Sequence, residues 1–245
     1  MSLPKTVIAA ALTALVMLTV SPAHARPAAP AKPALPRPST GTNWNGTVTR
    51  SAEDGYILGN PAAPLRVVAY ISYSCPHCAE FAAQAEVQLR IGMIGPGKGS
   101  YEIRPFLRND IDIAATLLAE CGQPAKFFGN SQLLLSRQNQ WLALLDTLTQ
   151  AQQDRWNGLD FGSRMRAIAS DLGFYAVLES RGYDRPELDR CLTSEAQAKR
   201  LAARTKQAVT RDFVAGTPAF LINGVPLAGT YNWATLKPQI EARLR

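Results

Sequence analysis

LRVVAYISYSCPHC, residues 65–78, is the segment from which the fold of this chain is most clearly predicted. Its first half, Leu65 to Ile71, is a nearly unbroken run of apolar strand formers, which is typical of a central strand covered on both faces. The polar stretch 72–74 ends that run, and Cys75-Pro76-His77-Cys78 opens a helix. The pattern therefore predicts two cysteines at the junction between a buried strand and the first turn of a helix.

The residues after Cys78 complete a strand, helix and strand unit. Apolar side chains recur at helical spacing at Phe81, Ala82, Ala85, Val87 and Leu89. Four glycines and a proline between positions 92 and 99 end this helix, and residues 101–106 alternate like a second strand. Two strands joined by a crossover helix predict a βαβ unit.

A hairpin and a helical block are predicted on either side of this unit. Thr47-Val48-Thr49 and Tyr56-Ile57-Leu58 flank a polar turn with Asp54-Gly55, as in a β-hairpin. From about Asp110 to about Gln207 the apolar spacing becomes helical, which indicates an inserted helical block. Within it, helical pieces are predicted at 127–148, 164–172 and 187–205.

The last part of the chain returns to strands. In residues 216–227, Asn223-Gly224 lies between two apolar arms, and this dipeptide is a strong hairpin signal. A terminal helix is predicted from about Trp233, with Pro238 as a residue that could delay or kink it.

The beginning of the chain has the features of an export signal. Lys5 precedes an apolar run, residues 7–20, which is shorter than the roughly 20 residues of a membrane-spanning helix, and Ala23 and Ala25 suit a signal peptidase. We interpret residues 1–25 as a secretory signal peptide, with an uncleaved membrane anchor as the alternative.

A linker is predicted between this signal and the folded domain. Residues 26–42 are rich in Pro and Ala and favour a semi-extended tether over helix or central strand. A proline-rich docking segment is the alternative, although no patterned partner motif accompanies it. The folded domain is then expected at residues 43–245.

Composition excludes several other kinds of site. His24 leaves with the predicted signal peptide, so a histidine-rich zinc site or a Ser-His-Asp triad would depend on His77 alone. The formal net charge is +7, and the basic residues are scattered among acidic ones, so we expect no nucleic-acid partner. No second Cys-x-x-Cys motif supports a four-cysteine zinc site, and we expect no bound metal.

The Cys-x-x-Cys motif at a helix start predicts redox chemistry. Unpaired amides and the positive helix end stabilise a thiolate on Cys75, which makes it the nucleophile. Pro76 suits the first helical turn, and His77 can add a proton donor or a positive charge beside the same sulfur. Cys78 lies one turn further in and is predicted to be the resolving thiol. A stabilised Cys75 thiolate favours the reduced pair, so the disulfide form is expected to pass its oxidation on.

Three motifs together resemble a known family. Cys75-Pro76-His77-Cys78, Val67-Val68-Ala69-Tyr70 and Gly216-Thr217-Pro218 are similar to motifs of the DsbA-like thiol-disulfide oxidoreductases. The resemblance covers roughly residues 44–245. It implies an α/β thioredoxin-like fold with an inserted helical subdomain, a periplasmic setting, and Pro218 as a cis proline facing the cysteines. Thr217 would then hydrogen-bond an extended substrate.

The sequence departs from this family pattern at two positions. Ala69 occupies a place where relatives often carry a buried acid that moves protons to and from the second cysteine, so that relay is expected to be missing. Thr217 is more typical of isomerase or reductase relatives, whereas oxidase relatives often have a bulkier aliphatic residue. The direction of electron flow is therefore left open between these activities.

The other two cysteines, Cys121 and Cys191, fall on apolar faces of the predicted insertion. Four cysteines allow three pairings, and a structural disulfide between Cys121 and Cys191 leaves the active pair free. The alternative is two reduced cysteines that act as small apolar side chains. The disulfide would close a long loop and contribute at most about 4 kcal/mol in the chain-entropy model.

The sequence thus predicts a periplasmic enzyme that oxidises the cysteines of substrate proteins through Cys75 and Cys78. The expected partners are unfolded or reduced exported proteins and a membrane-bound or soluble redox partner that resets the cysteines, and no cofactor is expected. An isomerase or reductase of the same fold is the first alternative. A copper carrier that holds a soft ion between the two thiols is the second.

Overall fold

A computed structural model describes residues 41–245 of the 245-residue chain. The predicted signal peptide, and the predicted linker up to residue 40, lie outside the described residues. In the part that is described, the strands are β1 Val48–Arg50, β2 Tyr56–Gly59, β3 Leu65–Ile71, β4 Gly99–Pro105, β5 Ala219–Ile222 and β6 Val225–Pro226. The α-helices are α1 Pro76–Leu89, α2 Asp110–Ala119, α3 Phe127–Ser136, α4 Gln138–Leu142, α5 Gln150–Gly158, α6 Phe161–Asp171, α7 Phe174–Glu179, α8 Arg185–Leu192, α9 Glu195–Arg211 and α10 Trp233–Leu244.

The strands form one mixed sheet in the order β1-β2-β4-β3-β5-β6. The predicted βαβ unit is confirmed, because β3 and β4 pair in parallel with α1 between them. The other pairs are antiparallel. β3 lies in the interior of the sheet, and each of its residues except Arg66 is buried. Such burial on both faces explains its continuous apolar sequence.

The two faces of β3 contribute to different parts of the core. Val67, Ala69 and Ile71 belong to the large apolar cluster, which includes side chains of α1, α10 and the helical insertion. Val68 and Tyr70 point the other way and pack with residues near the C-terminal end of α9 and with β5. The predicted fold class, an α/β thioredoxin-like fold with a helical insertion, is confirmed.

The two predicted hairpins are present. Asn223 and Gly224, between β5 and β6, have φ angles of 51° and 82°, the left-handed conformation that a tight type I′ turn requires at both positions. Asp54, between β1 and β2, also has a positive φ of 56°. α10 begins at Trp233 as predicted and continues past Pro238, so that proline does not delay its start.

The insertion is helical from Asp110 to Arg211, but two of the predicted pieces are divided. The piece at 127–148 consists of α3, α4 and a 3₁₀ turn at Ala143–Thr147, with a break at Arg137. Gln138, the residue after this break, hydrogen-bonds to the loop between β3 and α1. The piece at 187–205 is broken at Thr193 and Ser194, residue types that favour local turn conformations over helix interiors. The spacing of apolar residues alone does not predict such breaks between helices.

Cys121, which follows α2, and Cys191, in α8, form a disulfide with an S–S distance of 2.00 Å. This is the pairing chosen from the sequence. It ties the first helix of the insertion to its penultimate helix. Within residues 41–245, no helix combines the length and the apolar character that crossing a membrane would require.

Candidate active site

The two remaining cysteines lie where β3 leads into α1. Cys75 is the N-cap residue of α1, with an extended backbone (φ −95°, ψ 115°), and Pro76 takes the first helical position. Proline fits there because the first amides of a helix have no partner within the helix. Cys75 and Cys78 are both free and buried, at 4% and 0% exposure.

The environment of Cys75 favours its thiolate. A hydrogen bond from the Cys78 thiol is the largest of the effects that lower the pKa of Cys75, which falls to about 5. Burial opposes this shift, while Thr217 and the backbone amides of Cys78 and His77 add to it. Charge-assisted hydrogen bonds at a helix N-terminus therefore outweigh desolvation at this sulfur.

Cys78 has the opposite behaviour. Burial raises the pKa of Cys78 well above its usual range, and its hydrogen bond to the Cys75 thiolate and the charge on that sulfur raise it further. The backbone amide of Ser72, whose nitrogen lies 3.5 Å from Cys78 Sγ, acts in the other direction. The pair is thus divided into one sulfur that ionises easily and one that stays protonated.

A loop before β5 covers the pair from the other side. The Thr217–Pro218 peptide bond is cis. The Thr217 carbonyl oxygen lies 3.1 Å from Cys75 Sγ and accepts a hydrogen bond from Cys75 when that residue is a thiol. The Thr217 hydroxyl is buried, makes no regular hydrogen bond to the described residues, and is near enough to both sulfurs to lower the pKa of each.

The His77 side chain lies on the exposed surface of α1. Its ring is mostly exposed, and its Nδ1 lies 3.9 Å from Glu80 Oε2, one turn along α1. What His77 contributes to the Cys75 thiolate is its backbone amide. The ring points outward because position 77 is in the first helical turn, on the solvent side of α1.

Two polar side chains of the insertion hold the loop between β3 and α1. Gln138, from α4, donates through Nε2 to the carbonyl oxygens of Tyr73 and Cys75, the latter at 2.9 Å. Asp112, from α2, accepts from the Ser72 hydroxyl at 2.9 and 3.0 Å and from the Ser74 amide at 2.8 Å. Burial raises the pKa of Asp112, although these donors counteract it. The insertion therefore forms part of the active site.

Ala69 is fully buried and belongs to the same apolar cluster as Cys78. An acid is absent at this position, as the sequence showed, but the described residues include Asp112, which approaches the cysteine loop from another element. Among the described residues, no three His, Cys, Asp or Glu side chains come together in a group that could hold a metal ion.

Comparison with known proteins shows the family of the chain. A family model described as thioredoxin matches residues 51–242. The chain belongs to the thioredoxin family. The matched range runs from the β1–β2 turn to α10, so the helical insertion lies within the family match.

Individual relatives of the chain have related names. A Novosphingobium aromaticivorans crystal structure titled protein-disulfide isomerase is 49% identical, covers 78% of this chain and 97% of its own, and has a TM-score of 0.75. Wolbachia pipientis α-DsbA1 has the same fold at 17% identity, with 80% and 93% coverage and a TM-score of 0.59. A Rickettsia felis protein, provisionally named a protein-disulfide oxidoreductase, is 26% identical over 80% of this chain. The chain spans 63% of the length of that relative.

Sequence reasoning missed Gln138 and Asp112. Gln138 lies in the polar run Ser136–Gln140, and Asp112 follows the helix cap Asn109, where an acid is ordinarily read as a partner of the helix dipole. For Gln138, the signal available was a polar side chain whose neighbours one turn away, such as Leu134 and Trp141, are apolar. It does not say which distant group the side chain contacts.

Proposed function

We propose that this chain is an exported thiol-disulfide oxidoreductase that exchanges disulfides with protein substrates through Cys75 and Cys78. The observation that carries the proposal is the lowered pKa of Cys75, about 5, beside a buried partner thiol whose pKa is raised. The names of the Novosphingobium and Rickettsia relatives support the same chemistry.

The proposed direction is oxidation of substrates. A substrate thiolate attacks Cys75 Sγ of the oxidised pair, the Cys75–Cys78 bond breaks, and Cys78 departs with the electron pair. A second substrate thiolate then attacks the substrate sulfur that is bonded to Cys75 Sγ. The new substrate disulfide forms, and Cys75 leaves easily as a stabilised thiolate. A stabilised thiolate lowers the free energy of the reduced pair. The Cys75–Cys78 disulfide is therefore a stronger oxidant than a disulfide whose thiolate is not stabilised.

Equilibration of the pair with glutathione tests the direction. If the chain is an oxidant, the Cys75–Cys78 disulfide should be reduced at glutathione ratios that leave thioredoxin oxidised. A pair that remains oxidised until thioredoxin itself is reduced would contradict the oxidising role.

Trapping tests the exchange itself. In Cys78→Ala, the resolving thiol is gone, so mixed disulfides between Cys75 and protein thiols should accumulate and be released by a reductant. Cys75→Ala is the matched control and should trap nothing. Copper that stays bound in stoichiometric amounts, with no trapped adducts, would favour the copper carrier.

Isomerase activity is the second candidate. It is favoured by the 49% identical structure titled protein-disulfide isomerase and by Thr217 beside the cis proline. An isomerase acts in its reduced form, with Cys75 and Cys78 as thiols. The reduced chain should therefore reactivate scrambled ribonuclease without added oxidant. Oxidation of reduced ribonuclease without that activity would exclude this candidate.

The proposed location is the periplasm, where reduced exported proteins are the substrates and a membrane-bound or soluble partner reoxidises the cysteines. The sequence of residues 1–25 supports export. Expression of the full chain, fractionation and N-terminal mass measurement test it, with Arg26 expected as the first residue. Recovery in the cytoplasmic fraction with an intact N-terminus would contradict export.

A further inference from the structure

Asp112 lies where the helical insertion meets the loop that carries the cysteines. Its side chain is fully buried. One carboxylate oxygen accepts from the Ser74 amide at 2.8 Å, and the other accepts from the Arg108 amide at 2.8 Å. The Ser72 hydroxyl donates to the same carboxylate, at 3.0 and 2.9 Å from its two oxygens. The carboxylate thus fastens residues 72–74 to the start of the insertion.

The Ser72 residue held in this way also contacts the second cysteine. Its backbone nitrogen is 3.5 Å from Cys78 Sγ, within hydrogen-bonding range for sulfur. Cys78 has no exposed surface. Water therefore cannot solvate this sulfur without a rearrangement, and the Ser72 amide is a donor already aimed at it.

A donor at this sulfur matters during one step of the exchange. When an attacking thiolate bonds to Cys75 Sγ, the Cys75–Cys78 bond breaks and the electron pair remains on Cys78 Sγ. Until it takes up a proton, Cys78 is a buried thiolate. Fixed donors aimed at developing negative charge lower the barrier of such a step.

We propose that Asp112 is a positioning residue that holds the Ser72 amide against Cys78 Sγ and so accelerates the departure and return of the Cys78 thiolate. The inference rests on the disulfide exchange proposed above. In the stable reduced form the negative charge is on Cys75, which has its own donors. Asp112 therefore controls the rates of exchange in both directions and leaves the equilibrium unchanged.

Asp112→Asn tests this role in the full chain, with Glu120→Gln as the matched control. Asparagine has one carbonyl oxygen, whereas the Ser74 and Arg108 amides use separate carboxylate oxygens, so one amide loses its acceptor and the loop relaxes. Glu120 is a second acid with a raised pKa, about 7, just past the far end of α2 and about 12 Å along the helix.

Four quantities are measured: the rate of reduction of the Cys75–Cys78 disulfide by glutathione at pH 7, the reverse rate with oxidised glutathione, their equilibrium constant, and the alkylation midpoint of Cys75. In Asp112→Asn both rates should fall about tenfold, because a hydrogen bond to a charged group is weakened. The equilibrium constant should stay within about twofold of wild type, with the same Cys75 midpoint. Glu120→Gln should match wild type throughout.

Unchanged rates in Asp112→Asn would overturn the proposal. A shift of the equilibrium constant together with the Cys75 midpoint would also overturn it, because that result indicates a charge effect or general loosening of the site.

If Asp112→Asn does not fold, Ser72→Ala is the variant to test. It removes the hydroxyl that donates to Asp112 and keeps the Ser72 backbone amide. It should slow both rates about threefold at constant equilibrium, and wild-type rates would refute the role. A wild-type chain that does not exchange with glutathione would contradict the proposed function instead.

Discussion

At the scale of single residues, the protonation of Cys75 is a balance between burial and hydrogen bonding. Burial alone would raise the pKa of a thiol, and it does so at Cys78. Cys75 differs because it is the N-cap residue of the helix, where the Cys78 thiol and the amides of the first turn lower its pKa. Three positions of sequence separate two sulfurs with opposite behaviour.

The pH dependence of Cys75 alkylation follows from this balance. We expect iodoacetamide to react with Cys75 with a midpoint near pH 5, so that the rate is already maximal at pH 7.

The stability of the reduced protein should also depend on pH through Cys75. Because the folded pKa of Cys75 is depressed, its thiolate stabilises the reduced protein above the unfolded pKa, and this stability is lost as the pH falls through about 5. Unfolding of the reduced protein between pH 4 and 9, with Cys75→Ser as the control, measures it. A midpoint of Cys75 alkylation in mildly alkaline buffer would contradict the assignment of Cys75 as the nucleophile.

Thr217→Val should make the pair less oxidising. The substitution keeps the shape of the side chain and removes a hydroxyl that lowers the pKa of both sulfurs. Without the stabilising effect of this hydroxyl on the Cys75 thiolate, the glutathione equilibrium should shift toward the disulfide form by roughly threefold to tenfold. Thr210→Val, on the exposed face of α9, is the control and should leave the equilibrium unchanged. An equilibrium shifted toward the dithiol would argue against this role for the hydroxyl.

At the scale of elements, α4 supports the active-site loop through one side chain. Gln138→Ala leaves the buried carbonyl oxygens of Tyr73 and Cys75 without this donor, which should lower the free energy of unfolding by about 1–3 kcal/mol. Urea unfolding measures the loss. Gln140→Ala, two residues further on and exposed, should cost much less. Equal losses in the two variants would show that the contact is not what stabilises the loop.

The disulfide acts on the insertion rather than on the redox pair. It joins residues that are 70 positions apart, and the chain-entropy model gives about 4 kcal/mol as an upper figure for such a cross-link. Cys121→Ala/Cys191→Ala should therefore unfold at lower urea concentration and keep the Cys75 alkylation midpoint. A shifted midpoint would mean that the disulfide also shapes the active site.

At the scale of the whole molecule, Glu120, just past the end of α2, interacts electrostatically with Arg50 of the first hairpin. Its Oε2 accepts from Gln197 in α9 at 2.7 Å, and its Oε1 is buried without a partner among the described residues. Burial raises the pKa of Glu120 to about 7, against the attraction of Arg50 in β1. Ionisation of this group therefore opposes the assembly of the three segments.

The stability of the protein should consequently depend on pH through Glu120. Because the folded pKa is raised, the stabilising contribution is present below the unfolded pKa and is lost as the pH rises through about 7. The advantage of Glu120→Gln over wild type should grow by about 3 kcal/mol between pH 4.5 and pH 8. Urea unfolding at several pH values measures it, and a constant difference would show that Glu120 titrates normally.

Local patterns predicted much of this architecture. The apolar run of β3, the Asn223-Gly224 turn and the placement of Cys75 at a helix start depend on backbone preferences over a few residues, so they can be read from neighbouring positions. The divided helices of the insertion could not be read in this way, because side chains such as Gln138 contact a loop that is distant in sequence, between β3 and α1.

The strand, the turn and the cysteine motif follow from local sequence, because each depends on sterics and hydrogen bonding among residues that are near one another in the chain. The contacts of Asp112 and Gln138 with the cysteine loop, across 38 to 65 positions of sequence, appear only in the folded chain. The same is true of the His77 amide, which lowers the pKa of Cys75. Hydrogen bonds and burial depend on distances in space, and a separation along the chain does not specify those distances.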